Sequence, residues 1–206
     1  MRWLLILALP AAGLALLGGG YWALSRYLDP PPYGAYDANF KDDARTNTQV
    51  TPDQIDLSFM DRDGQAVQLA DFRGKSAVVL VVMRGFPGSV CPNCSAQTSR
   101  LIRNHAEFVK RGAEVLMVFP GPTEHLGDFM QAGRDKAGGS DVPFRVLLDP
   151  DFVAVDKLGI RGFLARPSTY IIDKQGQVRF AYVGAYTSDR PSIQAMLTQL
   201  DQLTES

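Results

Sequence analysis

Cysteine and histidine are scarce in this 206-residue chain, with two of each. A structural zinc site takes four Cys or His ligands at short spacings, and His105 and His125 have 19 residues between them. No metal is expected, therefore, and His105 and His125 read as a helix-face and a first-turn residue. An excess of charge is missing as well: 21 basic residues face 22 acidic ones. Without a basic patch there is no electrostatic footprint for nucleic acid. Internal repeats are also absent, which leaves one ordinary domain plus an appendage, with 46% apolar residues to build a core.

Charge is missing locally too, from Trp3 to Leu24 in "WLLILALPAAGLALLGGGYWAL". A membrane span needs roughly 20 apolar residues, whereas the apolar core of a cleaved signal peptide has about 7–15. Residues 1–27 are therefore expected to be an uncleaved single-pass anchor, with Trp3, Tyr21, Trp22 and Tyr27 at the interfaces. Arg2 and Arg26 nearly balance, and the short N-terminal flank favours a domain on the periplasmic, extracytoplasmic side of the inner membrane. No cysteine near the run offers a lipid attachment point. Residues 28–54, proline-rich and polar, read as a linker, and residues 55–206 as the working domain.

Within that domain, alternating residues on both sides of Asp63-Gly64 predict a hairpin. "AVVLVVM", 77 to 83, reads as a strand buried on both faces. Apolar residues at helical spacing predict a helix from Ser95 to Arg111, stopped by Gly112. A second buried strand at 114–120 precedes a helix over 124–137, for which Thr123 is the candidate cap. Then come a strand at 144–149, a short helix over 152–158, two strands joined across 173–176, and a last helix from Arg190 or Pro191 to Leu203. This order predicts a three-layer α/β/α domain around a central mixed β-sheet.

Both cysteines fall in "GFPGSVCPNCSAQ", at the junction of the first buried strand and its helix. A thiol at a helix N-terminus meets unpaired N–H groups and the positive end of the macrodipole, so Cys91 is expected as the reactive thiolate. Cys94, one turn on, can close a disulfide with it. Pro92 suits the first helical position and stiffens the loop between the thiols. Two blander readings compete: half of a zinc site, for which ligands are short, and an inert disulfide, although so small a ring stabilises little. Redox chemistry is the expectation.

"LADFRGKSAVVLVV", "CPNC", "FRVLLDPDFVAVDKLGI" and "RPSTYIIDKQGQVRFAYVG" resemble, in order and spacing, the thioredoxin-like superfamily, in particular its AhpC/TSA (redoxin) and membrane-anchored TlpA/ResA-type branches. The resemblance covers roughly residues 50–204. The TlpA/ResA-type likeness implies that Pro167 is a cis-proline lying against the thiols, with an ordinary trans proline at a strand start as the alternative. Peroxiredoxins carry P-x-x-x-T-x-x-C and a distant arginine. Pro87 and Cys94 match the ends of that pattern, Cys91 occupies the threonine position, and Arg166 stands one residue from the arginine position, which Pro167 holds.

The leading expectation is a membrane-anchored thiol–disulfide oxidoreductase in which Cys91 attacks partner disulfides and Cys94 resolves, with Pro167, Arg166, Pro92 and Pro87 lining the substrate side. The resemblance further implies protein thiol or disulfide substrates, a membrane-embedded donor of reducing equivalents, and no cofactor. A peroxiredoxin-like thiol peroxidase attacking through Cys94 is the first alternative. A non-enzymatic binding subunit is the second.

Overall fold

A computed structural model describes residues 40–86 and 88–204. The expected anchor, the first part of the linker and Pro87 lie outside the described residues. Among the described residues no helix is long and apolar enough to cross a membrane.

The chain follows the order β1 (Phe40–Lys41), α1 (Pro52–Ile55), β2 (Ser58–Asp61), β3 (Ala66–Gln68), β4 (Ala77–Val82), α2 (Pro92–Lys110) and β5 (Ala113–Pro120). After these come α3 (Leu126–Lys136), β6 (Arg145–Asp149), α4 (Val153–Lys157), β7 (Ser168–Ile172), β8 (Val178–Val183), β9 (Arg190–Pro191) and α5 (Ile193–Thr204). Seven strands form one sheet in the order β3-β2-β6-β5-β4-β7-β8. The pairs β4–β5 and β5–β6 are parallel, and the others are antiparallel. This is the mixed sheet expected from the sequence.

All six residues of β4 are buried because helices cover both faces, which suits its uninterrupted β-branched run. Val79 and Val81 point into one core with Leu101, Ile102 and Phe108 of α2, Phe129 of α3 and Met196 of α5. Val78, Leu80 and Val82 point into the other, with Ile55 of α1 and Val155 of α4. The domain is thus a three-layer, thioredoxin-like α/β/α sandwich. Its central strand ends where the cysteines begin.

Four local expectations change. Residues 40–54, read as linker, are bound into the domain. The Asn47 amide group donates to the Val183 carbonyl at 3.0 Å and accepts from the Val183 N–H at 2.9 Å, so one side chain satisfies edge strand β8. Thr51 caps α1 reciprocally with Gln54. Thr123 caps nothing, because a 3₁₀ turn over Thr123–His125 intervenes before α3. The last helix starts at Ile193, leaving Arg190 and Pro191 extended, since the residue before a proline is pushed out of helical geometry.

The fourth change is at Pro167. No peptide bond among the described residues is cis, so the Arg166–Pro167 bond is trans. Pro167 immediately precedes strand β7, where a missing N–H does no harm, and its carbonyl accepts the Gly184 N–H at 2.8 Å. The alternative reading of this proline holds, and the cis expectation does not.

Candidate active site

Strand β4 delivers the chain through Met83 and Arg84 to a loop whose Gly85, at φ 94°, permits a close approach. A Cβ there would stand 2.8 Å from the Pro120 carbonyl oxygen. Cys91 is the N-cap of α2, with Pro92 at the first helical position, as expected. Cys94 follows within the first turn. Both are free thiols, Cys91 with 5% of its surface exposed and Cys94 with none.

The two thiols interact, and this coupling splits their acidities. The Cys94 thiol donates to Cys91, and although burial works against ionisation, the Cys94 and Asn93 amides and the Arg190 charge add to that bond. The Cys91 thiol is brought down to about 5. Cys94 is raised, first because it holds the donated proton and then because it is wholly buried. At neutral pH the pair carries one negative charge, resident on Cys91.

Arg190 is the residue that sequence reasoning missed. It arrives from β9, is 1% exposed, and places Nη2 3.0 Å from the Cys94 sulfur. Its Nη1 donates to Gln97, its Nε donates to the Thr187 carbonyl at 2.8 Å, and the Met83 sulfur lies 3.7 Å from Nη1. Gln97, buried one turn beyond Cys94, was missed with it. An uncompensated guanidinium costs several kcal/mol to bury. Among the described residues no carboxylate forms an ion pair with Arg190, whose guanidinium is held by the Thr187 carbonyl, Gln97 and the Cys94 sulfur, with the Cys91 thiol also within its field. The Arg84 amide also donates to Cys94. Cys94 therefore sits in a two-donor cradle suited to hold charge when its proton leaves.

The other expected residues fall around this centre. Arg166 is exposed and donates from Nε to the Gly184 carbonyl at 3.1 Å, away from the sulfurs. The Pro167 ring is buried against Gly184, where a Cβ would lie 3.1 Å from its Cγ. Pro92 is exposed, and its carbonyl accepts from Lys136 Nζ at 3.2 Å and from Ser95 Oγ at 3.0 Å. His125 stacks on Phe86 at 4.1 Å and His105 tilts against Phe144 at 6.0 Å, so neither approaches the thiols as a ligand. No cluster of potential metal ligands occurs among the described residues. A groove of about 640 Å³ lined by Leu57, Phe59, Met60 and Val153 lies elsewhere and contains neither cysteine.

The AhpC/TSA family matches residues 50–181. This chain is a member of the AhpC/TSA family. The chloroplastic peroxiredoxin Q of Gentiana triflora is 28% identical over 167 residues, covering 79% of this chain and 70% of the relative. That of Oryza sativa subsp. japonica is 26% identical over 138 residues, 65% of this chain and 58% of the relative. A peroxiredoxin 6 of Arenicola marina, solved as a cysteine-to-serine mutant, superposes with a TM-score of 0.65 over 76% of this chain and 74% of that one, at 17% identity. That last likeness is one of fold. The family makes the chain an oxidoreductase of redoxin type.

Proposed function

We propose that this AhpC/TSA protein is a thiol peroxidase in which Cys94 attacks peroxide and Cys91 resolves the product. The observation that carries the reading is the Arg190 guanidinium at 3.0 Å from the Cys94 sulfur. The sequence ranks this function second, because the helix N-terminus favours Cys91, which also fills the threonine position, and because Arg166 is out of register. Arg190, a different arginine, lies at the Cys94 sulfur and supports the reading. Cys94 also stands at the last position of the pattern beginning at Pro87. The peroxiredoxin names of the relatives agree with this.

The chemistry follows from the shared proton. Cys91 takes the proton of Cys94, leaving a Cys94 thiolate held by Arg190 and the Arg84 amide. Cys94 attacks the peroxide oxygen, the O–O bond breaks, and Cys94 becomes a sulfenic acid while an alkoxide or hydroxide departs. Cys91 returns its proton to that leaving group and is again a thiolate. It then attacks the Cys94 sulfur, forming the disulfide and expelling hydroxide. An external dithiol supplies two electrons to restore the pair by exchange at Cys91, the less buried sulfur. Full burial of Cys94 restricts its direct reactants to small molecules.

The lowered pKa of Cys91 favours a second reading, in which Cys91 attacks protein disulfides directly. One pair of variants separates the two. Under the peroxidase reading Cys91→Ser consumes one equivalent of peroxide and accumulates sulfenate on Cys94. Absence of that sulfenate, with mixed disulfides trapped on Cys94→Ser, would transfer the assignment to disulfide exchange.

A further inference from the structure

Arg190 is buried at the thiols, but the short segment that carries it gains its fixed position from the first strand of the domain. Strand β1 pairs in parallel with β9, aligning Phe40 with Arg190 and Lys41 with Pro191. The Ser192 N–H donates to the Lys41 carbonyl at 2.9 Å. Lys41 Nζ lies 2.8 Å from Asp189 Oδ1 and donates to the Tyr182 hydroxyl at 2.9 Å. That hydroxyl donates to the same Asp189 oxygen at 2.6 Å, and the other oxygen accepts the Ala185 N–H at 2.8 Å. The Arg100 guanidinium, on the cysteine-bearing helix, lies 4.5 Å from the centre of the Phe40 ring.

Asp189 is 4% exposed and immediately precedes Arg190. Adjacent side chains on extended backbone point to opposite sides, so the carboxylate faces Lys41 while the guanidinium faces Cys94. A buried carboxylate needs a cation. Without Lys41, the cation adjacent in the chain is Arg190 itself, and a carboxylate that drew on the guanidinium would compete with the sulfur for it. Lys41 removes that competition and pins the turn at the same time. Burial alone would push the Asp189 carboxyl up, but Lys41, Tyr182 and the Ala185 amide outweigh it and hold the group below the usual carboxylate range.

We propose that Lys41 is a positioning residue, which by neutralising and fixing Asp189 keeps the Arg190 guanidinium on Cys94. The chain that enters the domain at residue 40 thereby sets the reactivity of a sulfur held on a separate element. The kinetic consequence rests on the peroxidase reading, whereas the positioning itself does not.

The test uses the full chain in a Cys91→Ser background, where Cys94 is the sole thiol and its thiolate absorbance can be titrated directly. Lys41→Ala should raise the Cys94 titration midpoint and slow its reaction with hydrogen peroxide at neutral pH by roughly threefold to tenfold, the usual size of coupling between networked residues. Lys41→Arg should restore both. In an Arg190→Gln background Lys41→Ala should add nothing, since its effect acts through the guanidinium. Should Lys41→Ala fold poorly, Lys41→Gln gives the same comparison. A lowered Tm with an unmoved Cys94 titration, or an undiminished effect after Arg190→Gln, would overturn the proposal. If the parent protein reduces no peroxide, the peroxidase reading falls, and the titration still decides the positioning role.

Discussion

Two short segments meet at this candidate active site, and they differ in how they are made. Residues 83–97 bring the sulfurs on the strand-to-helix junction of the central sheet, fixed by a buried strand and a 19-residue helix. Residues 184–192 bring the charge on a turn and a two-residue strand, fixed by side-chain bonds to Lys41, Tyr182 and Gln97. The first is positioned by regular backbone structure and the second by a polar network. Under the proposed peroxidase mechanism both are needed, the dithiol for the proton relay and the arginine for the charge that the relay creates.

The comparison is broken most severely at Arg190. Replacement by Met removes the donor to Cys94 and leaves Gln97 without its buried partner. Loss of one preorganised donor to a charged reacting group costs roughly 10²–10³ in rate, and peroxide reduction measured by stopped-flow should fall by that order. Arg190→Lys keeps the charge but loses the fork that serves Cys94, Gln97 and Thr187 together, so it should recover only a small part. Near-normal turnover in Arg190→Met would place the reacting charge elsewhere.

A smaller effect should follow from moving the second segment as a body. A Cβ on Gly184 would collide with the Asp189 carbonyl oxygen and lie 3.1 Å from both the Pro167 carbonyl oxygen and its ring. Gly184→Ala should cost about 1–3 kcal/mol by overpacking, read as a lower denaturation midpoint. It should also slow Cys94, because the displaced backbone is the one that carries Arg190. A loss of stability with full peroxidase activity would show that the segment can shift without moving the guanidinium.

The contrast between the segments also explains what was legible in the sequence. The strand run 77–83 and the C-x-x-C before a helical pattern announce themselves locally, so the element order and Cys91, Cys94 and Pro92 were readable. Arg190 was not, because its partners are 93 and 96 positions away and a polar network leaves no periodic trace. Pro191 was the available signal. A residue before proline is driven towards extended backbone, which could have taken Arg190 out of the predicted last helix. Residues 40–54 were misread for a related reason: Asn47 and Lys41 act through distant partners, and a polar, proline-containing stretch looks the same whether it is free or bound.

pH sharpens the sulfur half of the comparison. With Cys91 brought down to about 5, its alkylation in the reduced protein should stay fast from neutral pH until pH nears that value, then fall. The unfolded thiol ionises near about 8.5, so the folded value is the depressed one. Its contribution to stability is then complete above roughly pH 8.5 and is lost progressively as pH falls from there through the folded pKa. The Tm difference between reduced wild type and Cys91→Ser should narrow over that interval. A constant difference, or alkylation that halves near the pKa of a free thiol, would mean that Cys91 is an ordinary one.

The smallest effect is expected at Arg166, the arginine that sequence register favours. Its side chain is exposed and bonds to the Gly184 carbonyl, so it touches the backbone of the second segment without reaching the sulfurs. A partly solvated hydrogen bond to a carbonyl contributes about 0.5–1.5 kcal/mol net, and water can replace an exposed donor. Arg166→Ala should therefore lower the denaturation midpoint slightly and change the second-order rate with peroxide by less than about threefold, a shift of under about 1 kcal/mol. Arg190→Met in the same assay provides the contrast. A loss at Arg166 as large as that at Arg190 would mean that peroxide meets the exposed arginine before the buried one, and that the charge at this site is divided between two arginines rather than carried by Arg190 alone.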